Sequence, residues 1–123
     1  MNQINPRVAA WLQDLLGHSS AVARLVARGR PAYDADEMMR FASESLIIRL
    51  GECVERIDKA DPAFVAEHPE LELRQLKNTR NLIAHGYDIV DYGLVWSVME
   101  VNIPLVADQV ARVLDGSPGL AST

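Results

Sequence analysis

The sequence predicts an all-α fold, an antiparallel bundle of four main helices with a short connecting helix. Three observations carry that reading. Apolar residues recur at spacings of three and four along most of the chain. Cap-and-proline pairs, Asn5-Pro6 and Asp61-Pro62, stand where helical segments begin. No stretch alternates apolar and polar residues between hairpin turns, as a half-buried strand would, and no internal repeat is present. A length of 123 residues, 49% of them hydrophobic, suits one core and is too short for two full domains. One helical domain is expected over residues 1–114, followed by a flexible tail over residues 115–123, where Gly, Ser, Pro and Ala predominate.

In chain order, the first helix opens at Asn5-Pro6 and carries Val8, Trp11, Leu12, Leu15, Leu16, Val22, Leu25 and Val26 on its apolar positions. Gly17 inside it costs up to about 1 kcal/mol relative to alanine, but one continuous helix ending before Gly29 is the simplest reading. The second helix starts at Asp34, with Glu37 three residues on as a capping box, and runs along Met38, Phe41, Leu46, Ile47, Leu50, Val54 and Ile57 to about Ala60. Asp61-Pro62 begins a short connecting helix, and His68-Pro69 begins the third main helix, which stops near Gly86. The last helix spans Asp91 to Leu114 and is kinked at Pro104, whose ring removes one backbone hydrogen bond.

Several function classes drop out. No stretch approaches the ~20 uncharged apolar residues that cross a bilayer, and Met1 to Arg7 lacks the basic flank and apolar run of a secretory signal. With one cysteine, Cys53, and therefore no internal disulfide, the chain reads as cytoplasmic. No His/Cys set has metal-ligand spacing, and there is no glycine-rich phosphate loop, so neither a metal nor another cofactor is expected. The net charge of −5 argues against a nucleic-acid partner only on average. Between Asp34 and Glu72 eleven acids face four bases, whereas Arg74 to Gly86 holds Arg74, Lys77 and Arg80 and no acid.

That window runs into Arg80-Asn81-Leu82-Ile83-Ala84-His85-Gly86-Tyr87, where three side chains suited to a phosphodiester lie within eight residues. Arginine holds phosphate oxygens through a planar, permanently charged fork. Histidine titrates near neutrality and moves protons. Tyrosine supplies a hydroxyl for positioning or modification. At about 100° per residue, Arg80 and Tyr87 fall within roughly 20° of one helix face while His85 sits about 140° away. A single straight helix cannot present all three. Either the helix ends before His85, or residues from two copies of the chain meet across an interface.

The spacing Arg80-x4-His85-x-Tyr87 resembles the R-x4-H-x-Y signature of the HepT-like toxins, small all-α ribonucleases of the HEPN superfamily. Arg49-Leu50-Gly51-Glu52, His68-Pro69-Glu70, Val95-Trp96 and Ile103-Pro104 resemble further features of that family in the same order, over residues 7 to 112. Many members carry tryptophan where this chain has Leu73. The resemblance implies a metal-independent RNA endonuclease of a type II toxin–antitoxin system, with a composite site at a homodimer interface. Arg80 would neutralise the scissile phosphate, His85 would act as general base or acid for attack by the ribose 2′-hydroxyl, and Tyr87 would position either. It also implies a minimal nucleotidyltransferase antitoxin that transfers AMP to Tyr87, adding bulk and negative charge where RNA binds.

The supporting candidates keep two readings each. Asn81 either holds the backbone at the helix end or contacts RNA. Glu52 either orients Arg80 or His85 or is a solvated partner of Arg49 or Arg56. Arg74 and Lys77 either track the RNA backbone or form a solvated helix face. Exposed apolar residues on the second and last helices would supply the dimer interface. The competing function is a catalytically silent helical module that binds nucleotide or serves only as the nucleotidyltransferase's partner.

Overall fold

The computed structural model describes residues 4–84 and 90–116. All regular structure among them is helical, and no described helix is long and apolar enough to cross a membrane. Of the tail expected over residues 115–123, all but Asp115 and Gly116 lies outside the described residues.

Helix α1 (Pro6–Val26) starts as its sequence prescribes, with the Asn5 side chain accepting from the Arg7 amide at 2.8 Å. It runs straight through Gly17, where an added Cβ would meet nothing within 4 Å, and the chain turns at Gly29 with φ 92°. The next element departs from the sequence reading. Residues Arg30–Ala35 form a short helix of their own, α2, in which Asp34 pairs with Arg30 at 2.8 Å instead of capping the helix that follows. The cap of α3 (Glu37–Ala60) is Asp36, whose carboxylate accepts from the Met38 amide at 2.9 Å. The separate turn of helix is explained by Tyr33, which it delivers fully buried against Trp96, the ring centroids 4.9 Å apart.

Asp61 caps α4 (Pro62–Glu67) as expected. His68-Pro69 does not open the next main helix directly. A 3₁₀ turn over Pro69–Leu71 inserts the fully buried Leu71 into the core, and Glu72 then takes a left-handed conformation at φ 51° before α5 (Leu73–Ala84) begins. After residue 90, Asp91 caps α6 (Tyr92–Ser97) through the Leu94 amide at 3.0 Å. At the kink position expected from Pro104 the helix changes to a π-turn over Val98–Asn102, after which α7 (Ile103–Leu114) follows. A π-turn is one of the ways a helix absorbs the backbone N–H that a proline lacks.

The four main helices of the bundle are α1, α3, α5 and the α6–α7 pair. Helix α3 is its spine, packing most extensively against α5 and α1, while α7 lies on α1. Leu12, Leu15, Ile47, Leu50, Ile57 and Val110 line the core, each fully buried. The large apolar side chains left exposed are Met38 and Phe41 on α3 and Leu94, Val101 and Leu105 along the last helix, so the outer ends of two apolar stripes stay uncovered by the single chain.

Candidate functional site

The seam between α3 and α5 sets the geometry. Lys77 of α5 meets Asp58 of α3 at 3.6 Å, and Arg80 meets Glu55, so partners on α3 move backward as those on α5 move forward and the two helices run antiparallel. One turn beyond Glu55, Gly51 lets the backbones approach. A Cβ built there would overlap the Cβ of Arg80 and come within 2.6 Å of its Cγ. The arginine therefore lies flat over Gly51, and only 13% of its side chain is exposed.

At the far end of that side chain Nη2 donates to Glu55 Oε2. The hydrogen bond and the positive charge hold the Glu55 carboxyl below its ordinary range, with Lys59 Nζ at 3.4 Å adding to the effect. Arg80 Nε is buried and has no acceptor among the described residues. Two of the three cations in the acid-free window of the sequence are thus balanced by acids of α3, which a count along the chain cannot reveal. The third, Arg74, is exposed at the start of α5, where it lines a concave patch with His68, Pro69 and Glu72.

Of the other sequence-predicted residues, Asn81 is half-buried in the last turn of α5 next to Arg80. Glu52 lies with Phe41, Glu44, Ser45, Ile48 and Arg49 along an open groove on α3, and the acid that reaches Arg80 is Glu55, three residues further on. His85 and Tyr87 lie outside the described residues. Cys53 is buried, and burial pushes its thiol up.

Where the described chain resumes after residue 89, a second polar cluster fixes it. The Tyr92 hydroxyl donates to Glu44 Oε2, and that bond to a carboxylate, with partial burial, pushes the phenol up to about 12. The Arg40 guanidinium lies over the Tyr92 ring, 5.6 Å from its centroid, while Arg40 Nη1 donates to the carbonyls of Tyr33 at 3.0 Å and Asp34 at 2.7 Å. The Tyr33 hydroxyl donates to the Tyr92 carbonyl at 3.0 Å. Helices α2, α3 and α6 are joined through these four side chains.

Sequence reasoning passed over Glu55, Glu44 and Tyr92. The available signal was periodicity. Glu44, Gly51 and Glu55 recur at helical steps of seven and four residues, which places two acids and a glycine on one stripe of α3. The arrangement supplies one fixed guanidinium immediately ahead of the segment that carries a histidine and a tyrosine, a combination suited to holding and transferring charge at a phosphate.

The model of one protein family, described as Ribonuclease HepT-like, matches residues 16–113. No match was found among curated proteins or among solved structures.

Proposed function

The chain belongs to the HepT-like ribonuclease family, and from that membership we propose that it is a metal-independent RNA endonuclease, the toxin of a type II toxin–antitoxin pair. The observation that carries this reading is Arg80, a guanidinium laid over Gly51 and gripped by Glu55 five residues before His85. In the proposed reaction His85 takes the proton of the ribose 2′-hydroxyl as its oxygen attacks phosphorus. The bond to the 5′-oxygen breaks, that oxygen takes a proton from water or from the imidazolium formed on His85, and a cyclic phosphate remains. Arg80 neutralises the charge that develops on the phosphoryl oxygens, and Tyr87 positions the phosphate or the imidazole.

The active form is proposed to be a homodimer with the two signatures facing one cleft. The uncovered Met38, Phe41, Leu94, Val101 and Leu105 are consistent with such an interface. Glu52, on the open groove of α3, would face that cleft, with Asn81 supporting the end of α5. Arg74 is the cation of the window best placed to meet an RNA backbone, with Lys77 joining once released from Asp58. Silencing is proposed to come from a minimal nucleotidyltransferase antitoxin that transfers AMP to Tyr87, adding charge and bulk against the phosphate.

The test is cleavage of single-stranded RNA by the purified protein in EDTA. His85→Ala is expected to abolish cleavage, and Arg80→Ala to reduce it by about 100-fold or more, the scale seen when one preorganised charge-stabilising donor is removed. Activity that requires a divalent metal, or that survives loss of His85, sinks the mechanism. The pairing of Arg80 and Lys77 with α3 acids also suits a silent module that only receives AMP. Harmless expression together with AMP transfer to Tyr87 would favour that second reading.

A further inference from the structure

Glu44 and Glu55 are eleven residues apart on α3, which at about 100° and 1.5 Å per residue is three turns, the same face to within roughly 20° and about 16 Å along the axis. Each carboxylate accepts from one end of the same stretch of chain. Glu55 takes Nη2 of Arg80 on α5, and Glu44 takes the hydroxyl of Tyr92 at the start of α6. Gly51, on the stripe between them, is where α5 comes so close to α3 that an added Cβ would overlap Arg80. Further contacts reinforce each end. Lys77 and Asp58 pair one turn before Arg80, while Arg40 lies over the Tyr92 ring and Tyr33 donates to the Tyr92 carbonyl.

We propose that Glu44 and Glu55 are positioning residues, a two-carboxylate clamp on α3 that fixes Arg80 and Tyr92 and so sets where the chain leaves α5 and where it enters α6. The proposal rests on the nuclease reading for its catalytic consequence and on the two hydrogen bonds for its structural one. The solvated alternative, two glutamates on an outward helix face, does not account for both being engaged with the two ends of one segment. Neither acid is assigned to the chemistry. Each acts through the residue it holds, and the pair is most useful where a displacement of about 1 Å costs up to about 100-fold in rate.

The clamp predicts that the two ends loosen separately. Glu55→Ala should speed amide hydrogen exchange over residues 80–84, and Glu44→Ala or Tyr92→Phe should speed it over residues 90–94, each leaving the other end near its wild-type rate. Glu55→Gln and Glu44→Gln, whose amide oxygens still accept a hydrogen bond, should recover most of the protection. In RNA cleavage the alanine variants should lose about 10-fold in kcat with KM within about 3-fold, a loss the glutamine variants largely recover. Unchanged exchange in the alanine variants overturns the clamp, as does a glutamine variant no better than alanine. A rise in cleavage on Glu55→Ala would show Glu55 competing with phosphate for Arg80 and would also overturn it. If the wild-type protein cleaves no RNA, the nuclease reading fails by itself and the exchange data alone decide whether the clamp exists.

Discussion

Helices α1 and α5 both pack on α3, and they do so by different means. Helix α1 offers a continuous apolar stripe, with Val8, Leu12, Leu15, Val22 and Leu25 all buried and Ser19 satisfied by donating to its own Leu15 carbonyl at 2.8 Å. Helix α5 offers Leu73 and Leu76 in its first half and then Lys77 and Arg80, which meet acids of α3. An apolar seam gains by area and tolerates small shifts. A seam built on two ion pairs and a glycine contact gains little energy per pair but specifies where a guanidinium sits. The first helix is built for stability, and the second spends part of its seam on holding Arg80.

The largest test of that contrast is a deletion in the apolar seam. Leu12→Ala or Leu15→Ala should destabilise the fold by about 2–5 kcal/mol, the cost of lost transfer energy plus a residual cavity. Urea denaturation reads the change directly. Once the loss is corrected for folded fraction, RNA cleavage should be unchanged, since α1 packs chiefly on α3 and α7. A specific loss of activity in the folded Leu12 variant would break the division between the two seams.

Next in size is Gly51→Ala. The added methyl overlaps Arg80 at Cβ and nears Cγ at 2.6 Å, atoms too close to the α5 backbone to swing aside, so the helix itself must move. Overpacking of this kind costs about 1–3 kcal/mol. Here stability and function should fall together, because the displaced element carries Arg80. If the variant folds with wild-type stability, the close approach of α5 to α3 at Gly51 is wrong.

A smaller effect sharpens how α3 begins. Asp36→Ala removes the side chain that caps the Met38 amide and should cost about 1 kcal/mol. Asp34→Ala removes only an exposed pair with Arg30 and should cost about 0.5 kcal/mol or less. Reversal of that order in thermal denaturation would restore Asp34 as the cap.

These positions also mark how far the sequence could be read. The bundle, the caps at Asn5 and Asp61 and the disturbance at Pro104 were legible because periodicity and capping chemistry are local. Helix α2 was missed because Gly29 read locally as the end of one helix and Asp34 as the cap of the next, and only burial of Tyr33 against Trp96, 63 residues away along the chain, makes a separate turn of helix worthwhile. The motif around Arg80 was legible as a spacing. Its partner was not, since Glu52 and Glu55 are equally plausible acids until the rotation of α3 against α5 is known. That rotation is fixed by Gly51, whose significance lies in a contact across helices and not in its own neighbourhood.

The smallest expected effects belong to the ion pairs themselves. Lys77 and Asp58 are each about one-third exposed, so a double-mutant cycle with alanine should give a coupling of about 0.2–1 kcal/mol that shrinks with added salt. Glu55 adds a pH signature of definite sign. Its carboxyl is held below the ordinary range by Arg80 in the folded state, so the pair's contribution is present above the unfolded carboxyl value near about 4.3 and is lost as pH falls through the lower folded one. Wild-type stability should therefore fall more than that of Glu55→Gln between those two values, with the curves running parallel above them. Parallel curves throughout would mean that Arg80 does not hold Glu55 in its charged form in solution, and the contrast between an apolar seam and a positioning seam would lose its polar half.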